Sequence, residues 1–433
     1  MKLALIVQRY GGEVLGGSEQ LCRLLAERLA AQHEVEVLTT CARDYVTWRN
    51  EYAEGVDRVR GVTVRRFANA GTRDQAAFNR YSEWIYNNPH SRDDELEWLK
   101  QQGPWCPALI EYLRRHHQHY DVLIFFTYLY APTVLGLAVS PSRSILVPTA
   151  HDEPAIKLEI FKDVFGKAAA ICYLTESERR FVQGQFPDRP LLEEVVGVGV
   201  DIPPSQLHNR LAETPTTDSP PGQESDAGPA SGDEPTEDAA PGTPPSAAAR
   251  GMAFRRRYRL HGTVVLYGGR IDPGKGCEEL IEYFSSYVKA RGEGTLALMG
   301  VKFMSLPEEP FIRFAGLLTD SERVQALEAA TVVVCPSPYE SLSLLALEAL
   351  AVGTPLLVNA RSAVLVEHCV RSNGGLWYAD RDEFVECLKL LVGDGHLRTA
   401  LGLSGRDYVR RNYRWDVVLG KYERILGRIR MAR

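Results

Sequence analysis

The stretch VVLYGGRIDPGKGCEELIEYF, residues 264–284, reads as a buried strand, a glycine turn and a helix. Its centre, GGRIDPGKG, follows the phosphate-binding pattern G-x-x-x-x-G-K-[ST] except at the last position. A P-loop has Ser or Thr there, because that hydroxyl ligates Mg²⁺, whereas Gly276 offers nothing to a metal. Arg270 and Lys275 flank the turn beside a helix N-terminus, which predicts a diphosphate held by cations without a metal. An ordinary turn with two exposed cations remains the alternative.

The same alternation of apolar strands and helices runs through most of the 433 residues. Continuous apolar strands separated by helices predict parallel sheets covered on both faces. A Pro-, Gly- and acid-rich stretch at 204–250 interrupts the alternation and predicts a disordered linker, because it lacks the apolar residues that offset the entropy of ordering. The sequence therefore predicts two α/β domains, 1–203 and 251–413, and a terminal helical segment, 414–433. Ligands of such sheets bind at the carboxyl ends of the strands.

Composition excludes several classes of protein. The net charge of −6 argues against a general nucleic-acid binder, which usually has a basic excess. No window approaches the roughly 18 apolar residues of a membrane span. Eight scattered cysteines without a C-x-x-C pair favour a reduced, cytoplasmic setting and make a structural zinc site improbable.

A second motif, CPSPYESLSLLALEALAVGTPLLV at 335–358, strengthens the phosphate prediction. A buried strand ends before Glu340, and Ser341 or Ser343 can cap the helix that follows. The first turn has no carboxylate, so the positive end of the helix dipole is left for a foreign anion. Glu348 lies about 7 Å further along the axis, which suits a carboxylate that accepts from ribose hydroxyls. The alternative is a helix end facing solvent with Glu348 at its wet edge.

These motifs resemble the retaining family-four (group 1) glycosyltransferases. Their signature resembles the Glu-x7-Glu pair before EALAVGTP, and their GR-(L/I)-x-x-x-KG loop resembles YGGRIDPGKG. The opening of their N-terminal domain resembles GGSEQLCRLLAERLAAQHEVEVLT. The strand end that carries their cleft histidine resembles VPTAHD. The resemblance covers nearly the whole chain outside 204–250 and 70–105. It implies a GT-B fold, in which two Rossmann-like domains face each other across a donor site.

The resemblance also implies roles for individual residues. Arg270 and Lys275 would bind the donor diphosphate, and Glu348 would hold the ribose. Glu340 and His151 would act beside the donor sugar. The backbone groups of Leu342, Ser343 and Leu344 would donate to the diphosphate. The small residues Gly16 and Gly17 would belong to the first loop, at the cleft. The family usually has an aromatic residue and a glycine where this chain has Leu342 and Ser343, so the preferred donor sugar is less predictable.

The predicted activity is metal-independent, retaining transfer of a sugar from a UDP- or GDP-linked donor, with no cofactor. The acceptor would be a carbohydrate, a lipid-linked molecule or a small molecule, in polysaccharide, glycolipid or glycoconjugate synthesis. The last helix, around Trp415, would cross back onto the N-terminal domain.

Several alternatives stay open. The chain could be a nucleotide-sugar 2-epimerase of the same fold, or a non-catalytic nucleotide-binding partner of another transferase. The aromatic stretch at 70–105 shows no repeat and little helical periodicity, and suits an acceptor site, a lid or surface packing equally. The basic residues near the C-terminus suit weak contact with anionic lipid at the inner membrane face or a solvated helix face.

Overall fold

The computed structural model describes residues 1–14, 16–190, 192–201 and 245–432. The N-terminal domain is built on an eight-stranded sheet. Its strands are β1 (Lys2–Ile6), β2 (Glu34–Thr40), β3 (Gly55–Val59), β4 (Val62–Phe67), β5 (Val122–Phe126), β6 (Ser144–Val147), β7 (Ala170–Tyr173) and β8 (Glu193–Val195). Their order is β3-β4-β2-β1-β5-β6-β7-β8, and only the edge strand β3 runs antiparallel to its neighbour. The central strands β5 and β6 are buried at every position, because both faces of the sheet are covered.

Seven helices of the described residues accompany this sheet: α1 (Gly17–Leu29), α2 (Gln75–Asn87), α3 (Arg92–Gln102), α4 (Pro107–His116), α5 (Ala131–Leu137), α6 (Ile160–Lys167) and α7 (Glu176–Gln185). The helices α2 and α3 occupy the aromatic stretch, where the weak periodicity gives no sign of them. Capping starts both: the Asp74 side chain accepts from Ala77 N at 3.0 Å, and Ser91 forms a capping box with Asp94.

The C-terminal domain has a six-stranded, all-parallel sheet. Its strands are β9 (Val264–Ile271), β10 (Thr295–Lys302), β11 (Ile312–Gly316), β12 (Val332–Cys335), β13 (Leu356–Asn359) and β14 (Gly375–Tyr378), in the order β11-β10-β9-β12-β13-β14. Its helices are α8 (Ala247–Tyr258), α9 (Cys277–Arg291), α10 (Asp320–Ala329), α11 (Leu344–Val352), α12 (Ala363–Ser372), α13 (Arg381–Gly393), α14 (Gly395–Asn412) and α15 (Trp415–Met431). The prediction of two doubly wound parallel-sheet domains is confirmed.

The predicted linker at 204–250 falls largely on 202–244, which lie outside the described residues. Its last residues already belong to α8, which Ser246 caps by accepting from Ala249 N at 3.2 Å. The first helix of the C-terminal domain therefore starts a few residues before position 251. Within the described ranges, no helix is both long and apolar enough to cross a membrane.

Helix α15 packs on the N-terminal domain. The ring of Trp415 covers Gly199 so closely that an added Cβ there would lie 2.1 Å from it. The Lys421 ammonium donates to the Val195 carbonyl at 3.0 Å, and burial lowers the pKa of Lys421. These contacts hold α15 against the end of β8 and against the segment that follows it, residues 196–201, which is called the strap below.

Candidate functional site

The end of β9 and the turn after it carry the two predicted phosphate-binding cations, Arg270 and Lys275. Asp272 caps the short 3-10 turn Pro273–Lys275 by accepting from Lys275 N at 2.9 Å. Gly276 adopts a left-handed conformation with φ of 75°, and an added Cβ would lie 2.5 Å from the Pro336 carbonyl oxygen. Only glycine meets both conditions. The turn is thereby held against the loop that follows β12.

That loop carries Glu340, whose carboxylate meets the Lys275 ammonium. The Nζ and Oε1 atoms are 2.6 Å apart, with 27% of the lysine side chain and 19% of the glutamate side chain exposed. The sequence places these residues in separate motifs, 65 positions apart. The structure brings the predicted diphosphate cation and the predicted sugar-side carboxylate into one ion pair.

Arg270 points to the N-terminal domain. Its Nη1 donates to the hydroxyl of Tyr45 at 3.0 Å, and its Nε lies 3.4 Å from Asp272 Oδ2. The Tyr45 ring lies 5.4 Å from the guanidinium of Arg270 and 5.4 Å from that of Arg9. The second predicted cation is therefore at the domain interface.

The N-terminus of α11 has the features of an anion site. Ser343 caps it, accepting from Ala346 N at 3.4 Å, and no acidic residue lies in the first turn. Ser343 has a φ of 69°, which is uncommon for a residue other than glycine. The predicted backbone donors Leu342, Ser343 and Leu344 thus lie where a helix leaves amide groups without intrahelical partners.

Glu348 lies within α11 and forms an ion pair with Arg323 of α10. Burial raises the pKa of Glu348, and the adjacent Arg323 acts in the opposite direction. A carboxylate accepts at several positions, so the contact with Arg323 leaves Glu348 able to accept from a ribose as well. Arg323 also fixes the orientation of the carboxylate.

His151 follows β6 and faces the C-terminal domain. Its ring centroid lies 6.0 Å from that of Tyr339, which immediately precedes Glu340, and its Nε2 lies 3.7 Å from Glu153. The buried carboxylate of Glu178 accepts from Ala150 N, next to His151, at 2.6 Å. Burial raises the pKa of Glu178 to about 8. The predicted histidine and the Glu340 loop therefore lie on opposite sides of one cleft.

The predicted cleft glycines precede and begin α1. An added Cβ at Gly16 would lie 2.1 Å from the Glu19 carboxylate, which pairs with the buried Arg9 at 2.5 Å. Nothing lies within 4 Å of an added Cβ at Gly17. A side chain at Gly16 would therefore collide with Glu19 of the same loop and helix, whereas a side chain at Gly17 would extend into open space.

Comparison with known proteins agrees with this geometry. Residues 262–394 match a sequence family described as Glycosyl transferases group 1. These residues form a group 1 glycosyltransferase domain. A GDP-mannose-dependent monoacylated alpha-(1-6)-phosphatidylinositol monomannoside mannosyltransferase of Corynebacterium glutamicum is 25% identical over 38% of this chain and 46% of its own length. A D-inositol 3-phosphate glycosyltransferase of Jonesia denitrificans is 27% identical over 64% of this chain and 62% of its own length. The chain spans less than two thirds of the length of each of these relatives.

Solved structures extend the likeness to the whole fold. Sucrose-phosphate synthase from Thermosynechococcus elongatus superposes with a TM-score of 0.66 at 16% identity, covering 100% of both chains. Anabaena Alr3699/HepE in complex with UDP and glucose gives a TM-score of 0.64 at 15% identity, covering 99% of both. The fold is therefore GT-B.

Three residues that contact the candidate site escaped prediction from sequence. Tyr45 contacts Arg270 from 225 positions away, and Thr175 Oγ1 donates to the Ser341 carbonyl at 3.4 Å from 166 positions away. Arg323 lies on a different helix from its partner Glu348. Each contact depends on how elements pack, and no local spacing in the sequence signals it.

Proposed function

We propose that this chain is a retaining, metal-independent glycosyltransferase that uses a UDP- or GDP-linked sugar as donor. The observation that carries the proposal is that Lys275, in the turn after Arg270 of β9, pairs with Glu340 in the loop before the acid-free N-terminus of α11. In a group 1 glycosyltransferase domain, such a set suits the diphosphate of a nucleotide sugar. The acceptor is a carbohydrate, a lipid-linked molecule or a small molecule that enters from the N-terminal domain.

In the proposed reaction, the bond between the anomeric carbon and the diphosphate oxygen breaks, and its electron pair leaves with the diphosphate. Arg270 and Lys275 neutralise the charge that develops there, which is the role a metal ion has in other phosphate sites. The acceptor oxygen bonds to the same face of the anomeric carbon, and its proton passes to the departing diphosphate. Glu340 and His151 flank the sugar, and Glu348 holds the ribose.

The ion pair between Lys275 and Glu340 sets a condition on binding. The ammonium must share its donors between the carboxylate at 2.6 Å and the incoming diphosphate. A lysine has three donors, so both contacts can be made at once. Donor binding thereby places Glu340 next to the bond that breaks.

The proposed location is cytoplasmic. All eight cysteines are free, and seven of them are buried. Burial raises the pKa of these thiols, and it raises the pKa of Cys106 to about 12. Such a set fits a reducing compartment.

A thermal-shift panel of UDP, GDP, ADP and dTDP, each with EDTA or with Mg²⁺, tests the proposal. We expect a rise in melting temperature with one nucleotide that is the same under both conditions. Calorimetric titration with that nucleotide should then show Lys275→Ala weakening binding by about 1.5–3 kcal/mol. The control is Lys289→Ala, which removes an exposed lysine from α9 of the same domain.

Other results would contradict specific parts of the proposal. A shift that requires Mg²⁺ would refute metal independence, and no shift with any nucleotide would refute the donor site. Product analysis by NMR separates the remaining activities. A glycoside with the donor's anomeric configuration supports transfer, a free epimerised sugar indicates an epimerase, and binding without turnover indicates a non-catalytic partner.

A further inference from the structure

A chain of buried hydrogen bonds ends at the loop before α11. His368 of α12 is fully buried, and its Nε2 lies 2.7 Å from the Leu342 carbonyl oxygen. Its Nδ1 lies 3.2 Å from the Tyr408 hydroxyl, which lies 3.1 Å from the Tyr413 hydroxyl. Four residues from three parts of the C-terminal region therefore form one polar network.

The chemistry of the Leu342 carbonyl fixes the direction of every bond in this network. A carbonyl only accepts, so His368 must carry a proton on Nε2. Burial lowers the pKa of His368, which favours the neutral ring with a lone pair on Nδ1. Tyr408 then donates to Nδ1 and accepts from Tyr413. Each polar group has a partner, as a rigid buried network requires.

The network controls the peptide between Leu342 and Ser343. In a trans peptide the C=O and N–H groups lie in one plane and point in opposite directions. Holding the Leu342 carbonyl toward the buried His368 therefore turns the Ser343 N–H away from the core. Among the described residues, this N–H donates to no other group. Ser343 keeps its left-handed φ of 69° only because its surroundings hold it there.

We propose that His368 is a positioning residue that aims the Ser343 N–H at the donor diphosphate. This inference rests on the proposed function, since it assumes that the diphosphate binds at the N-terminus of α11. The residue that adopts this left-handed φ is a serine, not a glycine. A serine in the left-handed region needs external support that a glycine does not, and the imidazole supplies it.

The far end of the network is anchored on the strap from the N-terminal domain. The Tyr413 ring lies under Gly197, where an added Cβ would come within 2.8 Å of it, and the Tyr413 carbonyl accepts from Val200 N at 2.7 Å. Next to His368, the Glu367 carboxylate accepts from Ser177 N of α7 at 2.6 Å. Helix α12 thus contacts the loop before α11 through His368 and the N-terminal domain through the adjacent Glu367.

Calorimetric titration of the full chain with the nucleotide diphosphate chosen by the thermal-shift panel tests this role. His368→Leu removes the donor to Leu342, and we expect its Kd to rise about tenfold, the value of one hydrogen bond. His368→Gln restores an N–H donor and should bring the Kd back to within about threefold of wild type. Melting temperatures of all variants establish that they are folded.

Cys369→Ala is the matched control, because Cys369 is equally buried on α12 but contacts the Leu376 carbonyl at 3.8 Å instead. We expect it to lower the melting temperature and leave the Kd unchanged. A folded His368→Leu protein with wild-type affinity would overturn the inference, and so would equal losses of affinity in His368→Leu and Cys369→Ala. If the wild type binds no nucleotide, the proposed function itself fails, which is a separate result.

Discussion

Replacing Glu340 by Gln should tighten nucleotide diphosphate binding while it slows turnover. The structure gives the reason, since Glu340 Oε1 lies 2.6 Å from the ammonium of Lys275. In the unliganded protein this carboxylate neutralises the cation that the diphosphate needs. The amide removes one negative charge from the site, keeps the side-chain volume and leaves the ammonium to the ligand.

The magnitude follows from the geometry of the lysine. A diphosphate oxygen bound to a second donor of the Lys275 ammonium lies about 4–5 Å from the Glu340 carboxylate, as two bonds of ~2.8 Å meet at a tetrahedral nitrogen. At that separation, two negative charges repel by about 1–4 kcal/mol for effective dielectric constants between 80 and 20. Both side chains keep contact with solvent, which favours the lower part of this range. We therefore expect the Kd to fall about 5- to 20-fold.

Calorimetric titration at low and high salt measures this effect, and the gain should shrink as salt rises. Glu278→Gln is the control, since it removes an equal charge from the exposed first turn of α9. A Kd that rises fivefold or more in Glu340→Gln would refute the reasoning. That result would mean that Glu340 binds the nucleotide directly and that the roles of Glu340 and Glu348 are reversed.

Three further predictions concern stability. Gly276→Ala should lower the free energy of unfolding by about 2–4 kcal/mol. The loss should exceed that of Gly292→Ala, because both glycines have positive φ but only an added Cβ at Gly276 would meet a backbone atom. Urea unfolding of the two variants measures the difference. Glu178 has a pKa of about 8 when folded, so between pH 5 and 8 the folded state holds a proton that the unfolded state releases. The free energy of unfolding should fall with rising pH by up to about 1.4 kcal/mol per unit, and Glu178→Gln should remove this slope in urea unfolding at pH 5.5 and 8.5. Trp415→Ala should loosen α15 and cost about 2–4 kcal/mol, seen as faster hydrogen exchange along α15.

Much of the fold follows from the sequence because each parallel strand is a short apolar run between helices. The sequence runs EVEVLTT and IRFAG, for example, form the strands Glu34–Thr40 and Ile312–Gly316. The edge strand Gly55–Val59 is exposed and lacks apolar alternation, so its sequence gives no comparable signal. The strand Gly375–Tyr378 has four residues and gives little periodic signal.

The candidate site likewise contains residues that local motifs in the sequence reveal and residues that only the packing of distant elements brings in. Arg270, Lys275 and Glu340 belong to two local motifs that the sequence reveals, each at the carboxyl end of a parallel strand, and such strand ends meet at one edge of a sheet. Tyr45 and His368 act on those motifs from elements that are distant in the sequence. Their side chains carry no distinguishing pattern, since a lone tyrosine in a loop and a histidine in an amphipathic helix are ordinary. Only packing assigns them a part in the site.

Packing also explains the glycine that separates this loop from a P-loop. At Gly276 the backbone is left-handed and the Pro336 carbonyl oxygen fills the space of a side chain. A serine or threonine there would collide with the loop that carries Glu340, so this turn has no room for a metal-binding hydroxyl. The close approach that excludes the hydroxyl also brings Lys275 to Glu340, in the loop that precedes α11. In the proposed function, one steric feature thus removes the metal's ligand and supplies the cation that replaces it.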